Sequence, residues 1–216
     1  MRGAPRPFCR PDRPGLRGGR PAGDRSAPMQ IERPGPPGLA IITPPRFGDD
    51  RGWFSETWNA AKMRAEGLDH DFVQDNHSRS AAPGTLRGLH YQAPPFAQTK
   101  LVRCTRGAVW DVAVDIRRAS PTYLQAHAVR LDAESGRQFL VPRGFLHAFL
   151  TLTPDAEVQY KVDGFYSREH DGSVAWNDPD LAIDWPLAEA GVDAPVLSDK
   201  DAAAPRLKDI ENPFAY

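Results

Sequence analysis

What this 216-residue chain has little of narrows its class first. It has only two cysteines, Cys9 and Cys104, too few and too far apart for a disulfide framework or a cysteine metal site, and that usage suits a reducing cytoplasm. No apolar run approaches the length of a membrane span. Net charge is nearly absent, −1 at neutral pH, which argues against a protein whose main partner is nucleic acid. There is no internal repeat and no glycine-rich turn of the kind that cradles a dinucleotide. What is left is a chain long enough to bury one sizeable core.

The charge that is present is unevenly placed. Residues 1–28 hold seven arginines against Asp12 and Asp24, a local +5 that leaves −6 on the remainder. That segment is mostly Arg, Pro and Gly without apolar periodicity, so it cannot bury enough surface to offset the entropy of ordering it and is expected to be disordered. It lacks the apolar centre of a secretory signal, and its prolines oppose the amphipathic helix of a transit peptide. A basic arm for anionic surfaces is one alternative. A natural start at Met29, which opens MQIERPGPPGLAIITP, is another. The expected organisation is an extension over 1–28 and a single domain over 29–216.

From Gly38 onward the pattern is of short β-like runs punctuated by Gly, Pro and Asp. LVRC (101–104), AVWDVAVDI (108–116), QAHAVRL (125–131), RQFLV (137–141), HAFLTL (147–152) and AEVQYKV (156–162) are separated by turn signals. That rhythm belongs to an all-β sandwich or barrel, not to βαβ units. One short helix is expected over 59–66, with Gly67 as its stop. A jelly roll, the double-stranded β-helix of cupin-like barrels, with a few short helices fits best. Inward-facing polar residues of such a barrel are site candidates, and Gln74, Asn76, Arg87, His90, Lys100, His147 and Tyr160 all lie in or beside these runs.

Cupin barrels often hold a divalent metal through two spaced motifs. The second is nearly present, as Gly136, Pro142, Gly144 and His147, but in the first Gln92 stands where a second histidine would follow His90, and no Glu follows before Lys100. Two imidazoles fall short of the about three or four donors a transition metal takes, and Lys100 would repel a cation. No metal is expected. Histidine, tyrosine, lysine and arginine together are instead a set for binding a polyanion and moving protons.

The segments FGDDRGWFSETWN, FVQDNHSRS, LRGLHYQ, KLVRCTRGAVWDVAVDIRRASPTY, VPRGFLHAF, QYKVDGFYS, WNDPDLAIDWP and LSDKDAAAP occur in order between about Met29 and Leu207. Together they resemble the dTDP-4-dehydrorhamnose 3,5-epimerase family. The resemblance implies a cofactor-independent isomerase acting on a dTDP-4-keto-6-deoxy sugar, with His90 as base, Asp201 as the carboxylate that orients it, Tyr160 as acid and Lys100 beside the 4-keto oxygen. It implies substrate contacts at Arg51, Glu56, Gln74, Asn76, Arg87, His147 and Lys200, and a base-stacking aromatic at Tyr166. Asp171 stands where the family commonly has Glu, a carboxylate one methylene shorter. Trp176 and Trp185 read as packing residues. The family also implies a homodimer, and the segment from Arg51 to Glu56 is expected to contribute across its interface. Alternatives are an epimerase of a single carbon of a secondary-metabolite dTDP-sugar, a metal-dependent cupin enzyme, or a non-catalytic sugar-nucleotide binder.

Overall fold

The computed structural model describes residues 28–216, so the expectations for the N-terminal extension lie outside the described residues save Pro28. Two antiparallel sheets face each other. The first has six strands in the order β1 (Gln30–Glu32), β2 (Ala40–Thr43), β10 (Gln138–Val141), β7 (Lys100–Arg106), β12 (Ala156–Val162) and β5 (Gln74–Ser80). The second has five, in the order β13 (Asp171–Ser173), β6 (Leu86–Gln92), β11 (Phe145–Thr151), β8 (Ala108–Asp115) and β9 (Ala126–Asp132). A separate two-stranded hairpin, β3 (Phe47–Asp49) with β4 (Gly52–Phe54), stands apart from both. This is the jelly-roll, cupin-like architecture the strand spacing predicts.

Both sheets are covered on their outer faces as well, which gives three apolar layers. Val102, Val109, Ala113, Phe139, Phe149 and Val158 fill the lumen between the sheets. Leu86, Val112, Leu146 and Leu150 point outward from the second sheet and pack under the C-terminal segment through Val174, Leu181, Trp185 and Phe214. Ile42, Leu101 and Leu140 point outward from the first sheet and meet Met63, Leu68, Trp58 and Phe72. This is why β8 and β11 are almost wholly buried and lack the polar-out half of the expected alternation.

Helix α1 (Ala60–Ala65) serves that third layer. Asn59 caps it by accepting from the Lys62 amide at 3.1 Å, and Gly67 ends it at φ +77, where a side chain would be strained. Its one fully buried residue, Met63, contributes about 2 kcal/mol by leaving water. Trp185 donates its ring N–H to the Trp176 carbonyl at 2.9 Å, in keeping with packing roles for both.

Candidate active site

Residues directly opposite in a ladder share a face, so register decides what reaches the lumen. On β12, Val158 lies in the lumenal core; Tyr160, two residues on, faces the same way, opposite Asn76 of β5 and Val102 of β7. Lys100 opens β7 opposite Val141, another lumenal residue. His147 of β11 lies opposite His90 of β6, while Phe149 lies opposite Arg87. Two residues on β11 therefore span three on β6, a bulge. In a regular strand Arg87 and His90 would point to opposite faces; the bulge turns both inward. Gly88, at φ +126, occupies it, and a Cβ there would stand 2.4 Å from Ala148 Cβ.

His90 Nε2 lies 2.6 Å from Asp201 Oδ1. Asp201 is buried at the start of α2 (Asp199–Ala202), an element too short to show periodicity in sequence. Ser198 caps α2 by accepting from the Asp201 amide at 3.2 Å, and its hydroxyl donates to Asp201 Oδ2 at 2.8 Å. Burial alone would raise the Asp201 carboxyl, but the His90 hydrogen bond and charge, the Ser198 hydroxyl and Lys200 outweigh it and hold the group below its ordinary value. An ionised carboxylate only accepts, so His90 Nε2 carries the proton and Nδ1 is the basic nitrogen.

Burial also acts on two other lumenal groups. It raises the Tyr160 phenol, against Arg87 and with Asp171, so the group keeps its proton through neutrality. Lys100 is half-buried, and burial pulls its ammonium down to about 8, with Asp111 and Asp171 opposing. At the rim, Asp171 Oδ2 accepts from Lys200 Nζ at 2.5 Å and from the Tyr166 hydroxyl at 3.3 Å, so the shorter carboxylate still reaches its neighbours. Gln74 donates to Asn76 at 2.9 Å and accepts from the Tyr166 amide at 3.2 Å. Arg87 donates to the Ser80 hydroxyl and the Arg79 carbonyl across the gap between the sheets. Gln92 is consumed structurally: its amide donates to the Phe96 and Phe165 carbonyls and accepts from the Ser167 amide, anchoring the loop that carries Tyr166.

Two candidates are not brought to the lumen by their own contacts. Arg51 pairs with Asp49 beside it in the hairpin turn, and Glu56 pairs with Lys62 at 2.7 Å. One lumenal residue escapes the sequence reading. Asp111 of β8 is inaccessible to solvent, its Oδ1 lies 2.8 Å from His147 Nε2, and its Oδ2 has no hydrogen-bond partner. In VWDVAV it falls on the same face as Val109 and Ala113, but both faces of β8 are apolar, so nothing in the sequence marks that face as the lumen.

A jelly roll whose lumen is apolar at one end and lined by His–Asp pairs, Lys and Tyr at the other defines the class of cupin-like acid–base enzymes. Within that class, the family described as dTDP-4-dehydrorhamnose 3,5-epimerase matches residues 36–209. The chain belongs to that family. It is 52% identical over 174 residues to the dTDP-4-dehydrorhamnose 3,5-epimerase of Pseudomonas aeruginosa, covering 80% of this chain and 93% of that protein. It resembles the solved dTDP-6-deoxy-D-glucose-3,5-epimerase of Legionella pneumophila, in complex with dTDP-4-keto-L-rhamnose, with a TM-score of 0.82 and 43% identity over 87% of this chain and 98% of that one. The Bacillus anthracis dTDP-4-dehydrorhamnose 3,5-epimerase, solved with TDP and pyrophosphate bound, gives a TM-score of 0.79 and 48% identity over 83% of this chain and 100% of that one.

Proposed function

We propose that the protein inverts C3 and C5 of dTDP-4-dehydro-6-deoxy-D-glucose to give dTDP-4-dehydro-L-rhamnose. The observation that carries this reading is the His90–Asp201 pair in one lumen with Tyr160 and Lys100. A sugar C–H is too weak an acid for imidazole, but C3 and C5 both flank the C4 carbonyl, so loss of either proton gives a delocalised enolate. His90 Nδ1 takes the proton. Asp201 holds the ring in the required tautomer. Lys100 donates to O4 as negative charge develops there. Tyr160 returns a proton to the opposite face. No step requires a metal or nicotinamide.

Arg87, Gln74, Asn76, His147 and Lys200 then hold the nucleotide sugar, Tyr166 stacks on the base, and Asp171 orients Tyr166 and Lys200. Arg51, carried by the β3–β4 hairpin, and Glu56, just after it, serve the site of a second copy; the hairpin's Trp53 and Phe54 are 61% and 67% exposed. The protein therefore acts as a homodimer. The buried free thiol of Cys104 suits the reducing cytoplasm in which this reading places it.

Running the reaction in deuterium oxide and following the sugar by proton NMR tests the reading. Deuterium at both C3 and C5 is expected. Label at one carbon would make the protein a single-carbon epimerase, and no label would remove the epimerase reading.

A further inference from the structure

Asp111 is a buried lumenal acid with no place in the mechanism above. It sits on β8, one strand beyond His147 and two beyond His90, with no solvent-accessible surface. A buried carboxylate is retained only when hydrogen bonds or an opposite charge compensate its lost hydration. One oxygen has His147 Nε2 at 2.8 Å, and the other has no hydrogen-bond partner. The compensation is thus half made by contact and must be completed by charge.

Burial pushes the Asp111 carboxyl above its ordinary value, and two basic groups oppose that rise, His147 and Lys100. Burial pushes the His147 imidazole down, so at neutrality that ring is an uncharged donor. Lys100 remains as the cation. It makes no direct ion pair with Asp111, and the charges that act on it come from Asp111 on β8, Asp171 on β13 and Lys200 on α2, while His147 on β11 feels its charge in turn. Asp171 is already bound to Lys200. That leaves Asp111 as the carboxyl acting on Lys100 that is not already bound to another ammonium, where burial works against a charged lysine.

We propose that Asp111 is a positioning residue for the epimerisation: its buried carboxylate fixes the tautomer of His147 through one oxygen and, through the open one, acts as the counter-charge that keeps Lys100 an ammonium in the lumen. The catalytic consequence rests on the function proposed above; the charge relation between the two residues does not. With Oδ1 accepting, His147 Nε2 bears the proton and Nδ1 presents a lone pair. With Lys100 protonated, a donor is ready for O4 before the enolate forms, which is how preorganised charge lowers a barrier.

Lysine labelled with nitrogen-15, read by NMR across pH, tests the charge relation without substrate, with the Lys100 signal assigned by its loss in Lys100→Arg. In the wild-type protein Lys100 should titrate at about 8. In Asp111→Asn its midpoint should fall by about one unit or more, a tenfold change in protonation. An unchanged midpoint in folded Asp111→Asn overturns the proposal. Where that variant does not fold, the wild-type Asp111 carboxyl carbon decides, because a carboxyl found protonated at pH 7 cannot be a counter-charge, whereas an ionised one supports the assignment.

The kinetic arm uses the dTDP-4-keto sugar. Asp111→Asn should lower kcat with KM little changed, move the basic limb of kcat/KM to lower pH, and recover activity as pH is lowered; Asp111→Glu should return the limb toward the wild-type position. A loss of equal factor at every pH would mean a structural role only and overturn the proposal. Absence of any turnover in the wild-type protein would instead fell the proposed function, and the NMR titration would still decide the charge relation.

Discussion

A histidine is a useful base only if one nitrogen is held as a donor so that the other stays free, and Asp201 does this for His90 at 2.6 Å. An asparagine in its place can present its NH2 to Nε2 and stabilise the opposite tautomer. Asp201→Asn is therefore expected to cut kcat by about 10²- to 10⁴-fold, with dTDP affinity and the melting temperature little changed, as steady-state kinetics with calorimetry would show. The cation proposed to meet O4 sets the other boundary. Lys100 is an ammonium below its pKa of about 8 and loses its proton above it, so kcat/KM should decline above about pH 8. Tyr160, raised by burial, titrates later and cannot produce that limb. A pH profile flat to pH 10 would show that Lys100 is not needed as a cation.

At the scale of elements, the bulge in β6 is what makes the site possible, and Gly88 is what makes the bulge possible. In Gly88→Ala the new methyl meets Ala148 Cβ at 2.4 Å and the His147 carbonyl at 2.7 Å, on a backbone at φ +126. The variant should lose about 2–4 kcal/mol of stability in urea unfolding and most of its turnover, because relief of the clash moves His90 and His147 apart. The loop after β8 carries a second device. Asp115 accepts from Arg117 at 2.9 and 2.7 Å, from Ser120 at 2.6 Å and from Thr122 at 2.7 Å. Burial would raise that carboxyl, but these bonds hold it at about 2. With an unfolded value near 3.9, it contributes about 2.5 kcal/mol above pH 5, a contribution roughly halved by pH 3 and lost as pH falls through the folded value. Asp115→Asn should thus be less stable than the wild type at pH 7 by about that amount, with the gap closing toward pH 3 in denaturant titrations. Elements of this length were also what the sequence made legible. AEVQYKV, expected over 156–162, is β12 at Ala156–Val162, and the helix expected over 59–66 is α1 with Asn59 and Glu66 as its caps. The three-residue strands and the four-residue α2 have too few residues to show a period. Parity could not single out Asp111, because both faces of β8 are apolar and only the folded sheet shows which one is lumen. Nor could it place Arg87 and His90 on one face, because the bulge breaks the period of two between them.

For the whole molecule, assembly turns on Arg51 and Glu56, which resemblance to the family puts on the substrate and whose own contacts are with Asp49, Lys62 and Asn59. The hairpin that carries Arg51 pairs with neither sheet and exposes Trp53 and Phe54, which is reasonable for a segment that crosses to another copy. A closed twofold dimer would make the exchange reciprocal, each copy giving its hairpin and receiving the other. Subunit mixing distinguishes this from a hairpin that folds back on its own barrel. Arg51→Glu and His90→Asn are each expected to be nearly inactive as homodimers. If Arg51 serves the other copy, a mixed dimer has one site with both defects and one with neither. An equal mixture after free exchange should then recover about a quarter of the wild-type rate, since about half the dimers are mixed and each carries one intact site. If Arg51 serves its own copy, every site in the mixture carries one defect and no activity returns. Sedimentation of Trp53→Ser/Phe54→Ser supplies the physical counterpart: weaker association and a raised KM are expected together if these two side chains seat the hairpin on the other copy, whereas a KM that rises in an undiminished dimer would mean that they touch the nucleotide without holding the subunits.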